Sequence, residues 1–128
     1  MQKLIDITYN TQDQKLDLIL PEGRNFDGIF VYFHGGGLTA GSKNPDAIFI
    51  HYLAEHNIAV ATANYRMYPD AKFPDFIEDA ADCVAWVKEH IGEYGSCERI
   101  FVGGSSAGGY LSMMLCFDER YLGKHSIK

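Results

Sequence analysis

The stretch RIFVGGSSAGGYLSMML, residues 99–115, decides the fold of this chain because its hydrophobic pattern changes across a glycine-rich centre. RIFVG, at residues 99–103, is a short apolar run, which predicts a strand. From residue 107 the run AGGYLSMMLCF is apolar almost all round, which predicts a helix inside a core. The two serines between these runs therefore lie on a sharp turn from strand to helix.

A serine on such a turn can act as a nucleophile when small residues stand two positions before and after it, in the pattern G-x-S-x-G. Ser106 fits, since Gly104 and Gly108 flank it. A pattern centred on Ser105 would need glycine where Ala107 stands. A flexible glycine-serine connector is disfavoured, because the segment joins strand to helix without a polar spacer. Ser106 is the candidate nucleophile.

A second glycine-rich loop, HGGGLTAGS at residues 34–42, follows the apolar run GIFVYF. It does not match a Walker phosphate-binding motif, because Lys43 follows Ser42 instead of preceding it. Neither loop contains G-x-G-x-x-G, so nucleotide binding has little support. Consecutive glycines instead let backbone N–H groups approach a substrate closely, as the stabilisation of an oxyanion requires.

The order of patterns along the chain predicts an α/β architecture. Alternating runs at residues 4–9 and 14–20 predict an amino-terminal hairpin. After it, strands and helices alternate, which indicates parallel strands joined by right-handed crossovers. We therefore expect a three-layer, mostly parallel sheet with an antiparallel hairpin, forming one domain over residues 1–128. Ligands of such sheets bind beyond the carboxyl ends of the strands, where both glycine loops emerge.

Two helices are predicted between the glycine loops. Asn44 and Pro45 predict an N-cap and a first turn for a helix through about Glu55. Its apolar side is expected to carry Ile48, Phe49, Tyr52 and Leu53. The second helix starts at Pro74 and carries apolar residues at steps of three and four as far as Ile91. Its acids near the start and bases near the end match the helix dipole.

Composition excludes several classes of function. The chain has 128 residues, 47% of them hydrophobic, and a formal net charge of −6, without a basic cluster that could bind nucleic acid. Its three cysteines form no C-x-x-C pair, which favours reduced thiols in the cytoplasm over a zinc site. No apolar run is long enough to span a membrane. No pattern predicts a metal or a cofactor.

Three segments resemble the hormone-sensitive-lipase-like esterases and lipases of the α/β-hydrolase superfamily: HGGG at 34–37, YRMYPDAKFPDFIEDA at 65–80 and GSSAGG at 104–109. The resemblance covers about residues 16–117. It implies a carboxylic ester hydrolase that forms an acyl-enzyme on Ser106. It also implies an oxyanion hole formed by N–H groups, those of Gly36, Gly37 and Ala107.

Two residues near the glycine loops need a separate interpretation. His34 is expected to order the oxyanion loop by hydrogen bonds and not to be the catalytic base. Ser105 occupies the position where many relatives have aspartate. This departure leaves the subfamily open, including acetyl-xylan-type esterases and arylformamidase-like amide hydrolases. It also leaves open whether the small-molecule substrate is an ester or an amide.

The acid and the base of a catalytic triad follow the serine in this fold, in the order Ser, Asp or Glu, His. Only Asp118, Glu119 and His125 are available, and an intervening helix would carry Asp118 roughly 16 Å from the turn. We therefore expect an amino-terminal part of an esterase with low activity by itself. Strand 99–103 would then be an open edge that a second copy covers. The alternatives are a non-catalytic ligand-binding module and a self-associating fragment.

Overall fold

The structure is a computed structural model that describes residues 1–38, 41–97 and 99–123. Strands and helices alternate along the chain after an initial hairpin. In chain order the elements are β1 Gln2–Thr8, β2 Lys15–Leu20, β3 Gly28–Phe33, α1 Ile48–Glu55, β4 Ile58–Ala63, α2 Asp75–His90, a short 3-10 helix Ile91–Glu93, β5 Ile100–Gly104, α3 Ala107–Phe117 and α4 Glu119–Gly123.

The described strands form one mixed sheet in the order β1-β2-β4-β3-β5. β1 and β2 form an antiparallel hairpin whose register shifts at a bulge between Leu4 and Ile7. β2 also pairs antiparallel with β4, while β3 pairs parallel with both β4 and β5. The predicted α/β sheet with an antiparallel hairpin is therefore confirmed, and the carboxyl ends of β3, β4 and β5 lie at one edge.

Helices cover both faces of the sheet. Ile29, Val31 and Phe33 of β3 belong to the larger core with α2 and α3, and each is fully buried. Phe30 and Tyr32 point to the other face, where they pack against the smaller core around α1. The predicted apolar stripe of α2 is buried, as its period required. In the described part of the chain no helix combines the length and apolarity that crossing a bilayer requires.

Helix α1 differs from its prediction in both its start and its buried face. A turn closed by Ala47 N–H and the carbonyl of Asn44 precedes it, so the helix begins at Ile48 and not at Pro45. Its buried residues are Ile50 and Ala54, whereas Ile48 is 88% exposed. The reason is tertiary: Ile50 and Ala54 pack with Ile19 of β2 and Val60 of β4 in the smaller core.

Helix α3 and strand β5 leave apolar surface uncovered. Leu111 and Leu115 are buried as predicted, but Met113 is 61% and Phe117 is 82% exposed. The prediction that this helix is enclosed on all sides is therefore wrong for its outer face in the described chain. β5 pairs with β3 along one edge, and no described strand pairs with its other edge. The prediction that a second copy covers this edge stays a prediction.

Candidate active site

The turn between β5 and α3 raises Ser106 above the carboxyl edge of the sheet. β5 ends at Gly104, α3 begins at Ala107, and Ser106 between them is exposed. Its backbone has φ 50° and ψ −110°, a conformation that residues with a side chain rarely adopt. Such a conformation costs about 1–3 kcal/mol and persists only where its surroundings enforce it. The structure thus holds this hydroxyl at the apex of a strained turn.

Close packing against β3 explains why glycine stands two positions before and two positions after Ser106. A Cβ at Gly108 would lie 1.8 Å from the carbonyl oxygen of Phe33, and a Cβ at Gly104 would lie 2.4 Å from the same atom. A side chain at Gly108 would push α3 away from β3, and one at Gly104 would push β5 away from both β3 and α3. The glycine register that selects Ser106 from sequence therefore has a steric cause in the fold.

Ser105 anchors the turn from the opposite face of the sheet. Its N–H donates to the carbonyl of Phe33 at 3.3 Å, and its carbonyl accepts from the N–H of Gly108 at 2.8 Å. Its hydroxyl shares a 2.7 Å hydrogen bond with the hydroxyl of Tyr32. Ser105 is exposed, as Ser106 is, but its hydroxyl is bound to Tyr32 of β3.

The HGGG segment follows β3 directly and lies against this turn. A Cβ at Gly35 would be 3.0 Å from the carbonyl oxygen of Ser105 and 3.5 Å from the Cβ of Ser106. The next residues have positive φ, 131° at Gly36 and 66° at Gly37, which glycine adopts without steric cost. The two glycine-rich loops predicted to meet are therefore in contact.

Two of the three predicted oxyanion donors have N–H groups available. Among the described residues no acceptor pairs with the N–H of Gly37 or with that of Ala107. Ala107 is the first residue of α3, where N–H groups lack a partner within the helix and the helix dipole is positive. Both features favour an anion next to Ser106. Gly36, between Gly35 and Gly37, already takes part in an interaction.

His34 is buried beneath the loop that it begins. Its Nδ1 donates to the carbonyl oxygen of Gly35 at 2.7 Å, and its ring stacks on Tyr65 with centroids 4.5 Å apart. Burial lowers the pKa of His34, which favours the neutral ring. Its Nε2 has no hydrogen-bond partner among the described residues, and therefore it does not bind the hydroxyl of Ser106. The geometry fits a loop-ordering role.

A segment that follows β4 holds the HGGG loop at both ends. The hydroxyl of Tyr65 donates to the carbonyl of His34 at 2.7 Å, and the N–H of Tyr68 donates to the carbonyl of Leu38 at 2.7 Å. Burial raises the pKa of Tyr65 to about 12, so its hydroxyl stays protonated. Tyr65 therefore packs and bonds under the loop that begins at His34.

Asp79 of α2 is a site-supporting residue that sequence reasoning missed. It was assigned to the acids that complement the helix dipole, yet it is fully buried and paired with Arg66, Nε to Oδ2 at 2.9 Å. The available signal was its spacing, three residues after Phe76 and four before Cys83, both of which are buried. An acid at a position that the helical period places on the buried face indicates a buried ion pair.

No acid or base partner of Ser106 is found among the described residues. Asp118 lies just after α3 and pairs with Arg120 at 2.6 Å, and this contact lowers its pKa to about 2. His125 lies outside the described residues. Three other described histidines bond to backbone carbonyl groups: His51 to Pro45 at 3.2 Å, His56 to Tyr52 at 2.8 Å and His90 to Trp86 at 2.9 Å.

Comparison with known proteins agrees with this architecture. A family model of the alpha/beta hydrolase fold matches residues 30–128. Carboxylic ester hydrolase LipN of Mycobacterium tuberculosis is 36% identical over 99 residues, which make up 75% of this chain and 26% of LipN. A bacterial heroin esterase superposes with a TM-score of 0.79 at 27% identity, covering 95% of this chain and 40% of the esterase.

A further solved structure is esterase 2 of Thermogutta terrifontis phosphoramylated by tabun. It superposes with a TM-score of 0.76 at 25% identity and covers 88% of this chain and 46% of that protein. The chain therefore belongs to the α/β-hydrolase family. Within it, the chain belongs to the hormone-sensitive-lipase-like group, as its HGGG and GSSAGG segments indicated. It spans less than half the length of each of these relatives.

Proposed function

We propose that the chain carries the nucleophile and the oxyanion hole of a carboxylic ester hydrolase. The observation that carries the proposal is the backbone of Ser106, whose positive φ holds an exposed hydroxyl above the carboxyl edge of the sheet. Strain of this kind is concentrated at functional sites. The N–H groups of Gly37 and Ala107, which have no acceptor among the described residues, support the same proposal, because they suit a developing negative charge.

In the proposed reaction the Oγ of Ser106 forms a bond to the acyl carbon of an ester, while its proton passes to a base. The π electrons of the carbonyl move to its oxygen, which accepts hydrogen bonds from Gly36, Gly37 and Ala107. When the carbonyl re-forms, the bond to the alcohol breaks and the alcohol takes up a proton. Water then hydrolyses the acyl group from Ser106 and restores its hydroxyl.

The base in this scheme is proposed to lie outside the described residues, since no described histidine bonds to Ser106. We therefore propose that the chain by itself turns over esters slowly. A serine hydrolase without its full triad keeps a residual rate of about 10³–10⁴ over water from its oxyanion hole and substrate binding. The relatives support this view only in that each has more than half of its length beyond the match.

The proposed substrate is a small carboxylic ester. LipN is named a carboxylic ester hydrolase, and the solved relatives are named esterases. These names support ester hydrolysis more than amide hydrolysis, the possibility that Ser105 left open. The free thiols of the three cysteines suit the reducing cytoplasm, which we propose as the location.

An organophosphorus reagent tests the nucleophile directly, and tabun modifies the Thermogutta terrifontis esterase. We expect a fluorophosphonate at high concentration to add one phosphonyl group at Ser106, with loss of fluoride, slowly because the proposed base lies outside the described residues. Peptide mass spectrometry should locate the group there. Ser106→Ala should abolish the labelling. Ser105→Ala is the matched control, because it removes the neighbouring hydroxyl and keeps Ser106, so labelling should persist.

Turnover of p-nitrophenyl acetate separates the alternatives. We expect a slow rate that Ser106→Ala reduces to background. Fast turnover abolished by the same substitution would show that the chain holds its own base and would contradict our expectation of low activity. Labelling that survives Ser106→Ala would contradict the nucleophile. Saturable binding of an ester without any labelling would favour the non-catalytic binding module.

A further inference from the structure

A buried carboxylate on α2 is connected to the oxyanion loop although it does not touch it. Asp79 has no exposed surface, and its carboxylate accepts five hydrogen bonds. Arg66 provides four of them: its N–H and Nε to Oδ2 at 2.8 and 2.9 Å, and its Nε and Nη2 to Oδ1 at 3.2 and 3.1 Å. Asn10 provides the fifth through Nδ2 to Oδ1, at 3.0 Å.

This contact holds both the side chain and the backbone of Arg66. A buried charge is strongly unfavourable unless it is paired and fully hydrogen-bonded, so the native position of Asp79 requires Arg66 in this conformation. Because the N–H of Arg66 is one of the donors, the peptide bond between Tyr65 and Arg66 is held as well. α2 therefore sets the path of the chain where it leaves β4.

The segment held in this way contacts the oxyanion loop at two points four residues apart. Tyr65 donates to the carbonyl of His34 and stacks under its ring, and Tyr68 donates to the carbonyl of Leu38. The three glycines 35–37 lie between these points and have no side chains with which to pack. Glycine loses more conformational freedom on ordering than any other residue, so this loop needs external support.

We propose that Asp79 is a positioning residue for the oxyanion loop, acting through Arg66 and Tyr65. The carboxylate fixes the segment 65–68, and that segment fixes both ends of the loop that lies against the Ser106 turn. The catalytic meaning of this support rests on the function proposed above, whereas its structural content concerns only the order of the loop. The order of the loop and its contribution to the reactivity of Ser106 can therefore be tested by separate measurements.

The first measurement is ¹⁵N relaxation with glycine-selective labelling. Tyr65→Phe keeps the ring under His34 and removes only the hydroxyl, and Asp79→Asn removes the charge on α2. In the wild-type chain we expect order parameters of about 0.85 at Gly36 and Gly37, and in both variants values below about 0.6. The order parameter of Gly104 in β5 should be the same in the wild-type chain and in both variants.

The second measurement is the rate constant for fluorophosphonate labelling at saturating reagent. We expect each variant to react about tenfold more slowly, equivalent to about 1.4 kcal/mol. The double variant should be no slower than the slower single variant, since both substitutions release the same segment. Two exposed positions provide matched controls, Tyr52→Phe for the hydroxyl and Glu89→Gln for the carboxylate on α2, and both should behave as wild type.

The outcomes separate this proposal from the proposed function. If Ser106 of the wild-type chain is not labelled, the ester-hydrolase proposal fails, and the order parameters alone decide the positioning role. Unchanged order at Gly36 and Gly37 in folded Tyr65→Phe overturns the positioning proposal, even when Asp79→Asn fails to fold. Additive effects of the two substitutions on labelling overturn the shared path through Arg66.

Discussion

Gly108→Ala tests the contact between the start of α3 and the end of β3. A Cβ at this position would lie 1.8 Å from the carbonyl oxygen of Phe33 and 2.5 Å from its carbonyl carbon. Both atoms belong to the backbone of a central strand, so they cannot rotate away as a side chain could. α3 would have to shift from β3 by roughly 1.5 Å, which would also move Ser106.

The expected loss is large because two opposing effects are unequal. Within a helix, alanine is favoured over glycine by about 1 kcal/mol. Overpacking a rigid interior costs about 1–3 kcal/mol and occasionally more, and a backbone contact this short belongs to the upper end. We expect Gly108→Ala to lower the free energy of unfolding by about 2 kcal/mol net. This is a large fraction of the total stability of a domain, about 5–15 kcal/mol.

The neighbouring residue provides a matched control. A Cβ at Gly109 would meet only the carbonyl oxygen of Gly104, at 3.5 Å, which is ordinary contact. Gly109→Ala should therefore raise the free energy of unfolding by about 0.5–1 kcal/mol. Urea denaturation followed by far-ultraviolet circular dichroism measures both variants. Equal stabilities for the two would refute the close approach of α3 to β3, and with it the steric reason for the glycine register.

Two further predictions concern pH and association. Burial lowers the pKa of His34 below its ordinary 6.5, so on acidification the unfolded chain binds a proton there before the folded chain does. The free energy of unfolding should therefore fall as pH decreases from 6.5 through the lowered pKa of His34. His34→Asn should remove this part of the pH dependence, as measured by urea denaturation at a series of pH values. Identical pH profiles for the wild-type chain and the variant would contradict this prediction. We also propose that a second copy of the chain pairs with the open edge of β5. Light scattering should then show a concentration-dependent dimer, and Phe101→Lys should convert it to a monomer. A wild-type chain that is monomeric at every concentration would exclude this pairing.

Local patterns were sufficient for the order of the elements and for the turn that carries Ser106. The strand of residues 99–103 and the helix from Ala107 were predicted within one residue, because an apolar run followed by glycines and a second apolar run is read from neighbouring residues alone. The choice of Ser106 over Ser105 depended on glycine spacing, which is also local. Its catalytic role stays a prediction.

Features that depend on contacts between distant residues could not be predicted from local sequence patterns. The pattern placed Asp79 among the acids near the start of α2 that match the helix dipole, but Arg66, thirteen residues earlier, makes burial of its charge possible. The apolar side chains of α1 suggested one buried face, but Ile50 and Ala54 are the residues that pack on the sheet, against Ile19 and Val60. In both cases the decisive partner lies on another element.

The sequence by itself determined the alternation of strands and helices, the two glycine-rich loops and the serine between Gly104 and Gly108, because each follows from short-range periodicity and backbone sterics. Only the tertiary structure decided how these parts meet. It brought Gly35 against Ser106, buried His34 on Tyr65 and joined Arg66 to Asp79. Such contacts depend on the packing of helices on a twisted sheet, which no local window of sequence contains.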